Sequence, residues 1–191
     1  VFAGERFAIR QAPSASIYAW LCEQSRSVAK APRSGLLVGD PPFREEHLVA
    51  WTPPAMETAS SARTDASTLR GAVRRDPAAL GSLPRLPWSR NEVETIAAML
   101  PASSMLVGAS ASRPALVRLA ESGELARFDV IHFATHALVD DINPERSALV
   151  LAQVGAKKAP TSKDIGIVTA GEMDHWQLNA ELVTLSACET A

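Results

Sequence analysis

Two short segments constrain this chain most, because each reads as a strand and each ends on a reactive side chain. The first is Phe128-Asp-Val-Ile-His-Phe-Ala-Thr-His136 and the second is Glu181-Leu-Val-Thr-Leu-Ser-Ala-Cys188. Both are brief apolar runs rich in Val, Ile, Leu, Phe and Thr, the composition of buried strands. As parallel neighbours, about 4.8 Å apart, they would bring an imidazole and a thiol to one carboxyl edge of a sheet. Open α/β sheets place their ligands at that edge. An imidazole beside a thiol is the minimum equipment for a cysteine nucleophile.

The rest of the composition narrows the class. A length of 191 residues suits one α/β domain or slightly more, with enough chain to bury a core. The net charge of −2 offers no basic surplus for a phosphate backbone, so no nucleic-acid partner is expected. No apolar run approaches the roughly 18 residues that span a bilayer, and no membrane association is expected. The amino terminus shows no basic stretch followed by an apolar block, so no secretory signal is visible. Cys22 and Cys188 are too few for a disulfide framework and fit a reducing compartment, which predicts a cytoplasmic protein. The chain opens on Val1 and stops three residues after Cys188, the pattern expected of a partial domain truncated after the Cys strand.

Along the chain, Ile17, Trp20, Leu21 and Val28 recur at helical spacing, so residues 14–29 predict a helix with Ser14 or Ser16 as its cap. Gly35-Leu-Leu-Val-Gly39 predicts the first buried strand, ended by the turn Asp40-Pro-Pro42. Residues 52–86 are dominated by Pro, Ser, Ala, Thr and Arg and predict a loop or poorly ordered insertion. Ser89 and Glu92 form a capping box for a helix through Val93, Ile96, Ala97 and Leu100, ended by Pro101. A strand at 105–108 follows, then a helix capped by Ser112 and closed at Gly123. Further strands are expected at 129–136, 148–152 and 181–187, with a loop at 157–164. A second capping box, Thr169 with Glu172, opens a short helix through Trp176. Strands alternating with helices predict a three-layer α/β/α fold with a mostly parallel sheet, the His and Cys strands forming its central pair. No internal repeat is present.

Several residues carry chemistry. His132 and His136 are four apart, the helical spacing of zinc enzymes, but Phe133 stands where their glutamate base belongs. On a strand both imidazoles would still face one way, because the side-chain period is two. A zinc site from His132, His136 and Cys188 is therefore conceivable but disfavoured, and no metal is expected. His132, deeper in its strand, reads as a hydrogen-bonded core histidine, and His136, at the strand end, as the general base. A free Cys is more often an inert small hydrophobe. The small residues Ser186 and Ala187 before Cys188 shift that reading, because they leave room for close backbone approach. Cys22 lies in an amphipathic stretch and reads as packing; His47 and His175 read as surface residues. No phosphate-binding glycine loop occurs, so no nucleotide or other cofactor is expected.

Ile131-His-Phe-Ala-Thr-His-Ala137 and Leu185-Ser-Ala-Cys-Glu-Thr-Ala191 resemble the two signature motifs of the CHAT domain, a caspase-like cysteine peptidase family often joined to tetratricopeptide repeats. Ser147-Ala-Leu-Val-Leu-Ala152, and Leu83-Pro84 followed by Asn91-Glu-Val93, are similar too. The resemblance covers residues 80–191 well and 1–50 more loosely. His136 and Cys188 stand 52 residues apart (188 − 136), close to the spacing of about 50 in caspases. Ala187-Cys188 echoes the caspase nucleophile context, which places the link at the level of the superfamily.

The resemblance implies a cysteine endopeptidase. His136 would be the catalytic base and Cys188 the nucleophile, cleaving peptide bonds in a protein or peptide substrate. Backbone N–H groups of Ala137 and Cys188 would hold the oxyanion. The family usually has Gly at position 137; a methyl there is harmless at negative φ but costs about 1 kcal/mol or more in a left-handed backbone. The family also implies tetratricopeptide or other repeats in the parent chain. The alternative is a non-catalytic scaffold or protein-interaction module. Asp140 and Asp141, just past His136, could attract a basic substrate residue, although loop acids are usually just solvated.

Overall fold

Ser34–Gly39 forms strand β1 because its apolar run has to be covered on both faces, and Leu36, Leu37 and Val38 are fully buried. In the computed structural model, which describes residues 33–44, 77–153 and 166–187, β1 lies inside a four-stranded parallel sheet. It is flanked by β2 (Ala102–Val107) and β3 (Val130–Ala134), and β3 pairs with β7 (Leu182–Leu185). The order is β2-β1-β3-β7. Parallel neighbours need a crossover, and helices supply it. Helix α1 (Pro87–Met99) joins β1 to β2, and α2 (Arg113–Glu121) joins β2 to β3.

The period of two sorts the side chains into layers. Leu37 and Ala134 pack with Val93 of α1, supported by Ile96, Ala97 and Leu100. Leu36, Val38, Ile131 and Phe133 belong to a second core with Leu116 of α2, Leu125 and Leu149. The α/β architecture with its mostly parallel sheet is thus as expected, with helices on opposite faces.

The chain departs from the expected pattern where tertiary contacts compete with local signals. The His strand stops at Ala134. The Thr135 hydroxyl then donates to the carbonyl of Val150, and β4 (His136–Leu138) joins a separate antiparallel sheet with β5 (Ala148–Val150) and β6 (Ile167–Thr169). The 148–152 run therefore belongs to this small sheet, and β6 is a strand that three residues could not announce. The His and Cys strands are parallel neighbours, but among the described residues β7 is the sheet's edge rather than half of its centre. Its outward Leu182, Val183 and Leu185 are about half exposed.

Helix α1 begins at Pro87, not at a Ser89 cap. Ser89 donates to Leu86 O and accepts the N–H of Asp40, and Glu92 reaches His132, so both residues of the expected box serve tertiary contacts. Ser112 does cap α2, accepting from Ala115 N. Thr169 caps the short α3 (Ala170–Met173), whereas the Glu172 carboxylate pairs with Arg113; that helix ends before Trp176. The last part of the stretch expected to be loop is packed: Leu80 and Leu83 are buried with Phe43 and Val150. The expected helix at 14–29, the remainder of 52–86 and the 157–164 loop lie outside the described residues, as do Cys22, His47 and Cys188. Among the described residues no helix is long and apolar enough to cross a membrane.

Candidate active site

The carboxyl ends of the parallel strands set the stage. Gly39 is level with Ala134 and Phe133 with Leu185, so Asp40, Thr135 and Ser186 follow at the same edge. The Ser186 N–H still donates to Phe133 O, at 2.8 Å, so strand-like pairing persists beyond β7 toward Ala187. Cys188 is one peptide further.

His136 is the first residue of β4, where the chain turns out of the main sheet. Its Nε2 lies 2.9 Å from the carbonyl oxygen of Pro84. A carbonyl can only accept, so Nε2 carries the hydrogen and Nδ1 is left with the lone pair of a base. The ring also sits against Phe43, centroid to centroid 5.2 Å and tilted by 52°. Burial in this apolar setting lowers the pKa of His136, and the Pro84 hydrogen bond opposes it more weakly. A neutral imidazole of a single tautomer is the state a general base needs before it takes a proton.

His132 is placed differently. It is buried, and its Nε2 meets Glu92 Oε1 at 3.0 Å across the α1 face of the sheet. That matches a hydrogen-bonded core histidine. Because strand pairing switches at Thr135, the period-two rule does not carry from His132 to His136, and the two imidazoles have separate partners. Among the described residues no group of three His, Cys, Asp or Glu is placed to hold a metal ion.

Ala137 packs against the larger core, and Asp40 is the sole non-glycine residue of positive φ among the described residues. Ala137 therefore avoids the left-handed backbone in which a methyl would be strained. Asp140 is used locally: its Oδ1 accepts the N–H groups of Ile142 and Asn143, and its own N–H donates to Ser147 Oγ. Asp141 and His175 are exposed.

Sequence reasoning missed two contributors to this site. Phe43 supplies an apolar face to the imidazole, and Pro84 supplies its carbonyl. A backbone oxygen leaves no mark in side-chain chemistry, so only the family-like Leu83-Pro84 pair pointed toward it.

A mostly parallel sheet with helices on both faces is the α/β architecture expected of a caspase-like domain. The family model that matches is the CHAT domain, over residues 1–191, and the chain belongs to that family. No curated protein and no solved structure matches the chain.

Proposed function

We propose that this chain is the peptidase domain of a caspase-like cysteine endopeptidase, with His136 as base and Cys188 as nucleophile. The observation that carries the reading is the hydrogen bond from His136 to Pro84, which leaves Nδ1 unprotonated near the carboxyl edge of the sheet where β7, the strand preceding Cys188 in sequence, also ends. In the first step the Cys188 thiol loses its proton to Nδ1, and the sulfur attacks the carbonyl carbon of a peptide bond. The oxygen becomes an oxyanion, held by the N–H groups of Ala137 and Cys188, each worth about 3 kcal/mol in comparable sites. The C–N bond then breaks as the imidazolium gives its proton to the leaving amine. Water, activated by the same imidazole, hydrolyses the thioester and restores the thiol.

The substrate class is a protein or peptide, delivered in the parent protein by repeats of the tetratricopeptide kind. The test uses an electrophilic peptide and mass spectrometry on the full chain. Rapid labelling of Cys188, abolished by His136→Ala, is the expected result. Equal slow labelling of Cys22 and Cys188 overturns the reading and leaves a non-catalytic interaction module.

A further inference from the structure

Asp40 is buried at the carboxyl end of β1 with φ +49°, a conformation strained for a side-chain-bearing residue. Its carboxylate faces two cations. Arg85 donates from Nε to Oδ1 and from Nη2 to Oδ2, both at 2.9 Å, a two-pronged pair. Arg90 adds a third bond, Nε to Oδ2 at 2.9 Å. The Asp40 N–H donates to Ser89 Oγ at 2.8 Å, and that hydroxyl donates onward to Leu86 O at 2.7 Å.

The segment held in this way is Arg85–Leu86. Arg85 is gripped through its side chain and Leu86 through its carbonyl, and both grips begin at Asp40. The residue immediately before them is Pro84, whose carbonyl receives the His136 Nε2–H. The neighbouring backbone is close as well: a Cβ on Gly39 would come within 2.9 Å of Ser89 O. Beyond Asp40, Pro41 and Pro42 lead to Phe43, whose ring lies against the imidazole.

From this arrangement we propose that Asp40 is a positioning residue for His136, acting through Arg85 to hold the Pro84 carbonyl and so select the imidazole tautomer. Asp40 does not touch the imidazole. Without the Arg85 grip, the Pro84 carbonyl is free to turn away, Nε2 loses its acceptor, and the proton distributes between the two ring nitrogens. The catalytic consequence rests on the reading of His136 as a base; the tautomer does not.

Two readouts keep these claims apart. Nitrogen-15 NMR of the full chain reports the tautomers of His136 and His132 together, and His132 serves as an internal control because its partner is the Glu92 carboxylate and not the Pro84 carbonyl. The expected result is a single Nε2–H form of His136 in the native chain and a mixture in Asp40→Asn, with His132 unchanged. Electrophile labelling of Cys188 should then slow by about 10²-fold at saturating probe, the scale of a misplaced catalytic group, with the probe's binding constant unchanged. Arg85→Lys keeps the charge but removes the fork, and it decides the matter if Asp40→Asn does not fold. The proposal is overturned if His136 keeps its single tautomer in the folded variant, or if His132 shifts with it, which would make Asp40 a general support. A tautomer that responds as expected in a chain whose Cys188 labels no faster than Cys22 sinks the peptidase reading alone.

Discussion

The Nε2–H of His136 donates to the carbonyl oxygen of Pro84 at 2.9 Å, joining the first residue of β4 to the loop that precedes α1. That bond gives the imidazole its orientation and its tautomer. It also assigns the role of third member in the candidate site to a backbone atom rather than to a carboxylate. A carbonyl carries no full negative charge, so it orients the ring without strongly stabilising the imidazolium, and burial favours the neutral form.

This has a consequence for stability. Burial keeps the His136 pKa below its ordinary 6.5, so between the two values the unfolded chain binds more proton than the folded one. Stability then rises with pH through that window, and it is lost as pH falls below 6.5 until the folded-state pKa is passed. Urea midpoints measured from about pH 7.5 down to about pH 5 should decline, and His136→Gln should flatten this part of the decline. An unchanged slope in the variant would show that the imidazole titrates normally.

Glu92 is expected to support the sheet rather than the chemistry. Its carboxylate accepts from the buried His132 ring at 3.0 Å. Glu92→Ala leaves a buried donor unpaired and should cost about 1–3 kcal/mol, read from denaturant unfolding, while Glu92→Gln retains an acceptor and should cost less. Cys188 labelling should proceed at the native rate in the folded fraction of both variants.

The two faces of the main sheet should respond unequally to truncation. Leu36 of β1 is fully buried between α2 and the sheet, so Leu36→Ala should cost about 2–5 kcal/mol. Leu182 of β7 is 51% exposed, and Leu182→Ala should stay within about 0.5 kcal/mol. Among the described residues β7 is the edge of the main sheet, and edge strands with bare apolar side chains invite pairing with other chains. Val183→Lys should therefore reduce concentration-dependent light scattering without lowering the unfolding midpoint.

Much of this protein could be read from the sequence alone. Ser34–Gly39 and Val130–Ala134 are mainly apolar on both faces, with His132 the polar exception in the second, a pattern that allows little except a doubly covered strand, and Ser112 with an early Pro marks α2 by local capping chemistry. His136 stood out because a reactive side chain ended such a strand, and the motif around it matched a family. Tertiary structure decided the rest, and the reason is competition for the same groups. Ser89 and Glu92 have the spacing of a capping box, but Asp40 and His132 claim them from other elements, and the helix starts earlier. Thr135 could extend the strand, yet its hydroxyl reaches Val150, and the chain changes sheets just before His136. The partners of the His136 ring, the Phe43 ring and the Pro84 carbonyl, are far away in sequence and meet it only when β1, the loop before α1 and β4 come together. Local pattern encodes which segments are strands and which residues are reactive; long-range hydrogen bonds, with no sequence period of their own, determine which proton sits on which nitrogen.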